Sequence, residues 1–193
     1  HTSRWDYEYT GGHQRDPILE KLADKRVAIV GTGATAIQAV PFLGRYAKHL
    51  YVMQRTPSTV DRRENPSTDP EWVKSLQPGW QSERQRNFQR GAIGGFIPGE
   101  PDLVCDIWTE INRNLAAELA NETTKIGIEE YLQRREVVDY QVMERLRNRV
   151  AELVEDSATA EALKPWYRFL CKRPASNNEY YPTFNRPNVE LVD

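Results

Sequence analysis

Six small residues in a row, Gly31-Thr-Gly33-Ala-Thr-Ala36, interrupt an apolar stretch and dictate how the chain on either side must run. Before them, Arg26-Val-Ala-Ile-Val30 is a short apolar run of the buried-strand kind. After them, residues 35–47 place Ile37, Val40, Leu43 and Ala47 on one helical face. Pro41 lies inside that segment, where it removes one backbone donor and is expected to bend the helix. His49-Leu-Tyr-Val-Met-Gln54 then reads as a second strand. Strand, glycine turn, helix and strand in this order make a βαβ unit, with parallel strands and a right-handed crossover.

The turn has the form G-x-G-x-x-A, placed after a strand and at the opening of a helix. Gly31 permits the tight turn, Gly33 lets the backbone approach a pyrophosphate, and Ala36 is small enough for close helix–strand packing. The helix N-terminus adds free N–H groups and the positive end of a dipole, so residues Thr32, Ala34 and Thr35 belong to the same cradle. The end of the second strand selects the cofactor. NAD sites usually carry an acid there for the ribose hydroxyls, whereas this strand ends Gln54-Arg55-Thr56. A carboxylate repels a 2′-phosphate, and a guanidinium binds it through paired charge-assisted hydrogen bonds. The expectation is NADP(H), with Arg55 and the Thr56 hydroxyl on the 2′-phosphate.

The rest of the chain supplies helices and connectors. Thr68-Asp-Pro-Glu71 resembles a capping box with proline in the first turn, so a short helix should start there. Val104, Ile107, Trp108, Ile111, Leu115 and Leu119 predict a helix over residues 103–120. Residues 127–154 carry a second apolar stripe, expected as two helices that change near Val137-Val138. Val189-Glu-Leu-Val192 is a candidate closing strand. A formal net charge of −2 argues against a nucleic-acid or membrane-surface partner, and no apolar run approaches the ~18 residues of a membrane span. Cys105 and Cys171 form neither a disulfide framework nor a CxxC metal site, which suggests free thiols in a reducing, cytoplasmic setting with no metal.

Three further segments resemble the Baeyer–Villiger monooxygenases. His1-Thr-Ser-Arg-Trp5-Asp6 is similar to the second half of the family fingerprint F-x-G-x-x-x-H-x-x-x-W-[P/D]. Gln54-Arg55-Thr56-Pro57 matches the usual end of the family's NADPH unit. Lys172-Arg173, followed by Tyr180-Tyr181, Phe184-Asn185-Arg186 and Asn188-Val189, resembles the stretch K-R…Y-Y-x-x-[F/Y]-N-R-x-N-V. The resemblance implies that Lys172 makes a second contact to the 2′-phosphate. It implies that Arg173 is the active-site arginine beside the flavin, where a permanent charge stabilises anionic oxygen. It also implies that His1, Trp5 and Asp6 belong to a linker coupling domain movement to cofactor position.

The fold expected is therefore α/β: a doubly wound, Rossmann-like parallel sheet with a helical insertion at about residues 66–165. Residues 1–25 would be a linker from an FAD domain, residues 26–193 an NADPH-binding domain, and residues 185–193 a return segment to the FAD domain. The implied whole enzyme uses NADPH, FAD and O2 to convert ketones to esters or lactones. The FAD fingerprint is absent, since no strand leads into Gly91-Ala-Ile-Gly94-Gly95. The segment alone is thus expected neither to hold FAD nor to turn over ketones, its partner being the FAD domain of the same polypeptide. An N-hydroxylating or flavin-containing monooxygenase, or a non-catalytic NADP-sensing module, are the other readings left open.

Overall fold

A computed structural model describes residues 2–96, 99–120, 122 and 126–193. The chain forms two compact units, one running through Arg63 and resuming at Arg145, the other Glu64–Glu144.

The first unit holds the expected βαβ arrangement. Strand β1 (Arg26–Val30) leads through the glycine turn into helix α2 (Ala34–Tyr46), and β2 (His49–Met53) returns parallel to β1. Ahead of them lies a short capped turn, α1 (Tyr7–Thr10). Strand β5 (Val189–Val192) pairs parallel with β2, giving the order β1-β2-β5. Arg26 lies opposite His49, Val30 opposite Met53, and Leu50 opposite Val189. Alternation decides which face meets the core. Val27, Ile29, Leu50, Val52, Val189 and Leu191 pack into the cluster with Ile37, Val40 and Leu43 of α2. The opposite face carries a polar ladder: the Arg26 guanidinium lies 5.2 Å from the Tyr51 ring centroid, and His49 meets Glu190 at 3.3 Å. A separate parallel pair, β3 (Val60–Asp61) with β4 (Ala175–Ser176), lies farther along.

Pro41 sits inside α2, fully consistent with the sequence, and its missing donor is replaced. A proline leaves the carbonyl four residues earlier without its helical partner. That carbonyl belongs to Ile37, and Asn177 Nδ2 donates to it at 3.3 Å. Asn177 Oδ1 meanwhile accepts from the backbone of Glu179 (2.7 Å) and Tyr180 (2.9 Å), opening the short helix α8 (Tyr180–Thr183). At the far end of α2, Asn188 Nδ2 donates to the carbonyls of Gly44 (3.0 Å) and Ala47 (2.8 Å), and Arg186 Nε donates to Gly44 (3.0 Å). Asn185 closes a different helix end, donating to the Leu153 carbonyl at 2.9 Å. The Tyr-Tyr and Asn-Arg residues of the C-terminal motif thus serve as core and caps.

The second unit is helical, and here the sequence expectations shift. Helix α3 is Pro70–Ser75 and its cap is Asp69, whose carboxylate accepts from Glu71 N, rather than Thr68. Helix α4 (Trp80–Gln89) runs into a wide turn at Arg90–Gly94, so the Gly91-Ala-Ile-Gly94 run ends a helix and opens none. Helix α5 begins at Glu110, not at 103. The preceding residues are held by Asp102, which accepts from the backbone of Val104 (3.0 Å) and Cys105 (2.8 Å) and pairs with Arg113 at 2.8 Å. Such a short acidic side chain offers the backbone a local alternative to a helix. The stripe over 127–154 is one helix, α6 (Ile128–Leu153), not two. No glycine or proline lies within it, and a Val-Val pair costs only about 1 kcal/mol in helix propensity, far less than a proline. Helix α7 (Ser157–Leu163), capped by Asp156, belongs to the first unit.

Candidate functional site

The glycine turn is tied to the carboxyl end of the sheet. Gly31 adopts φ +94, open to glycine and strained for other residues, and its N–H donates to the Met53 carbonyl at 2.8 Å. The Thr32 side chain is buried and its hydroxyl donates to the Thr56 carbonyl at 2.9 Å. Gly33 is the N-cap of α2 and provides no side-chain cap, so the first-turn donors lack the usual partner. A Cβ added at Gly31 or Gly33 would meet nothing within 4 Å. Ala34 and Thr35 are exposed beside it, while Ala36 is buried against the core.

The strand alternation past β2 sorts the next residues. Gln54 turns inward, donating to the carbonyl of Ala162 (2.8 Å) and to Asp193 (2.9 Å). Arg55 turns outward and is exposed, with no hydrogen bond or ion pair to another described residue. Lys172 approaches from the other side of the chain, and its ammonium donates to the same Thr56 carbonyl at 3.2 Å. Desolvation lowers the Lys172 pKa, and the nearby Arg55 charge lowers it further. Two neighbouring cations at this corner suit a multiply charged anion.

Residues 31–36, Arg55, Thr56 and Lys172 are therefore brought together at one end of the sheet, joined through one carbonyl. Arg173 is adjacent and exposed, and it makes no hydrogen bond or ion pair to another described residue. Trp5 and Asp6 lie elsewhere in local structure. Asp6 accepts from Tyr9 N at 3.0 Å and caps α1, and Trp5 Nε1 donates to Thr10 Oγ1 at 3.0 Å. His1 lies outside the described residues. Sequence reasoning passed over Tyr167, which stands behind this corner. Its hydroxyl donates to the Pro57 carbonyl at 2.9 Å, a partner 110 positions away that leaves no local pattern.

The donor set suits NADP(H). Open space in front of Gly31 and Gly33, uncapped helix donors and a pair of cations match a pyrophosphate and a 2′-phosphate respectively. No cluster of metal-binding side chains and no helix long and apolar enough to cross a membrane occurs among the described residues.

No model of a protein family matches the chain. Individual relatives do. A curated relative from the fungus Stachybotrys chlorohalonatus, Baeyer–Villiger monooxygenase ATR8, is 52% identical over 194 residues; the match covers 100% of this chain and 31% of the relative. A solved structure of a polycyclic ketone monooxygenase from the fungus Thermothelomyces thermophila superposes with a TM-score of 0.84 at 42% identity, over 99% of this chain and 31% of that one. A structure of OTEMO in complex with FAD and NADP matches with a TM-score of 0.62 at 25% identity, over 99% of this chain and 36% of that one. The chain thus spans about a third of the length of the proteins it matches. Identity near one half along the entire chain, with the same fold, makes it similar over its full length to about a third of a Baeyer–Villiger monooxygenase.

Proposed function

We propose that this chain is the NADPH-binding portion of an FAD-dependent Baeyer–Villiger monooxygenase that uses O2 to convert ketones to esters or lactones. The observation that carries the reading is the shared Thr56 carbonyl, which fastens the phosphate turn through Thr32 and the Lys172 ammonium through a second bond, beside the free guanidinium of Arg55. Residues 31–36 and the α2 N-terminus hold the pyrophosphate. Arg55, Lys172 and the Thr56 hydroxyl hold the 2′-phosphate. When bound, NADPH supplies hydride to the flavin. Arg173 offers a permanent positive charge toward the reacting centre, and burial of its neighbour Pro174 fixes where it emerges. His1, Trp5 and Asp6 belong to the linker from the FAD domain, with the capped turn at residues 7–10 stiffening it. The FAD domain of the same polypeptide is the partner, and the location is cytoplasmic.

Titration of NADPH and NADH against the intact flavoprotein tests the assignment. Losing one charge-assisted contact costs about 1.5–3 kcal/mol, so Arg55→Ala should weaken NADPH binding by tenfold or more while NADH changes little. Equal affinity for the two cofactors in the unmodified protein rejects the reading.

A further inference from the structure

The basic corner depends on a side chain that neither the turn motif nor the Lys-Arg pair includes. Tyr167 is half-buried, and its hydroxyl does two things at once. It donates to the Pro57 carbonyl at 2.9 Å and accepts from Thr59 Oγ1 at 3.2 Å, so it grips the connector that follows Arg55 and Thr56. The face of its ring receives the Lys172 ammonium, 5.6 Å from the centroid. The chain between the two residues is folded back to allow this: Cys171 N donates to the Arg168 carbonyl at 3.1 Å, and Leu170 is held at φ +63. A leucine in the left-handed region is strained and persists only where surrounding contacts impose it. The turn therefore serves to bring Lys172 over Tyr167 and onto the Thr56 carbonyl.

We propose that Tyr167 is a positioning residue for 2′-phosphate recognition, fixing Lys172 and the Arg55–Thr56 connector in one geometry before any nucleotide arrives. This rests on the NADPH reading above. The physical reason is entropy. A free lysine side chain loses rotamer entropy when it grips a ligand, unless a neighbour already orders it. A cation held over an aromatic face contributes to that ordering. Burial also raises the Tyr167 pKa, so its hydroxyl stays protonated and keeps its donor role toward Pro57. Among the described residues Tyr167 makes no direct hydrogen bond or ring contact with residues 31–36, so its influence should fall chiefly on the 2′ position.

The experiment compares dissociation constants of 2′,5′-ADP and 5′-ADP for the intact flavoprotein, by calorimetry. Tyr167→Leu removes ring and hydroxyl together, and 2′,5′-ADP should weaken by about tenfold, with 5′-ADP within about twofold. Tyr167→Phe keeps the ring and loses the anchors, so a loss of about threefold for 2′,5′-ADP alone is expected. A residue that merely supports the fold would weaken both nucleotides alike, and that result, or no change in either, overturns the proposal. Should the leucine variant fail to fold, the phenylalanine variant decides alone: selective loss keeps the proposal and unchanged discrimination rejects it. Two failures are separable. If the unmodified protein does not distinguish the nucleotides, the NADPH reading falls and takes this role with it. If Arg55→Ala abolishes the distinction but Tyr167→Leu does not, only the role of Tyr167 falls.

Discussion

The two ends of helix α2 are built on opposite plans. At its start, Gly33 caps without a side chain and a Cβ there would meet only open space. At its finish, Gly44 is buried, and a Cβ would lie 2.7 Å from Thr183 Cγ2 and 3.1 Å from Val189 Cγ2. Three side-chain donors from Arg186 and Asn188 close the last carbonyls. The protein's own packing demands glycine only at Gly44; at Gly33 the space is left open, and a glycine there matters only for what approaches from outside. An orphaned helix end is ordinarily a cost, so one left open beside a basic pair points to a ligand as the missing partner.

The same substitution at both ends gives the sharpest test of that contrast. Gly44→Thr forces branched atoms into a packed contact between α2, α8 and β5, and overpacking of this kind costs typically about 1–3 kcal/mol. Its melting temperature should fall by several degrees at the least, with residual NADPH affinity in the folded fraction unchanged. Gly33→Thr should do the reverse. Gly33 has φ −74 and ψ −178, a backbone any residue adopts, and threonine is as good an N-cap as glycine. Stability should hold within about 0.5 kcal/mol while NADPH affinity drops by more than tenfold, because the side chain occupies the approach to the pyrophosphate. A Gly33→Thr protein that binds NADPH normally would mean the open end serves no ligand.

The closed end can be weakened more gently. Asn188→Ala removes both donors of that amide, leaving the Ala47 carbonyl without its side-chain partner while Gly44 keeps Arg186. Loss of such bonds costs about 1–2 kcal/mol in stability, read as a lower melting temperature. Cofactor affinity measured below that temperature should be unaffected. If affinity falls in step with stability, the two ends are coupled and their division of labour is wrong.

The sequence was most legible where the determinants are local. The turn of small residues, the strand before it and the helical stripe after it located β1, α2 and β2 within a residue or so, since each pattern sits within one element. The closing strand β5 was readable from its composition, though not its place beside β2. Errors came where a side chain competes with a pattern or acts at long range. Asp102 unwinds the start of the expected 103–120 helix by accepting backbone donors locally, and the hydrophobic spacing is blind to that. The change of helix expected near Val137-Val138 does not occur, since no glycine or proline lies there to enforce it. At the site, the phosphate turn and Arg55 were visible, whereas Tyr167 and Asn177 act on partners 110 and 140 positions away. A contact between distant residues carries no periodicity, so nothing in the string marks it.

The smallest effect tests how complete the closed end is. Tyr180 and Tyr181 stand side by side in α8, both almost wholly buried, and α8 packs against α2. Burial pushes both hydroxyl pKa values up, so neither ionises near neutrality. Their hydrogen bonding differs. The Tyr181 hydroxyl donates to the Ser58 carbonyl at 3.4 Å, whereas the Tyr180 hydroxyl is buried without a partner among the described residues. A buried polar group left unsatisfied forfeits its hydration and gains nothing in return. Tyr180→Phe should therefore be neutral or stabilising by up to about 1 kcal/mol, roughly 2–4 °C in melting temperature. Tyr181→Phe should instead lose a few tenths of a kcal/mol, roughly, because its bond is long but real. The pair controls for itself, since the rings are neighbours and the atom removed is the same. A destabilised Tyr180→Phe would mean that this hydroxyl finds a partner in solution and that the closed end is better satisfied than the geometry indicates.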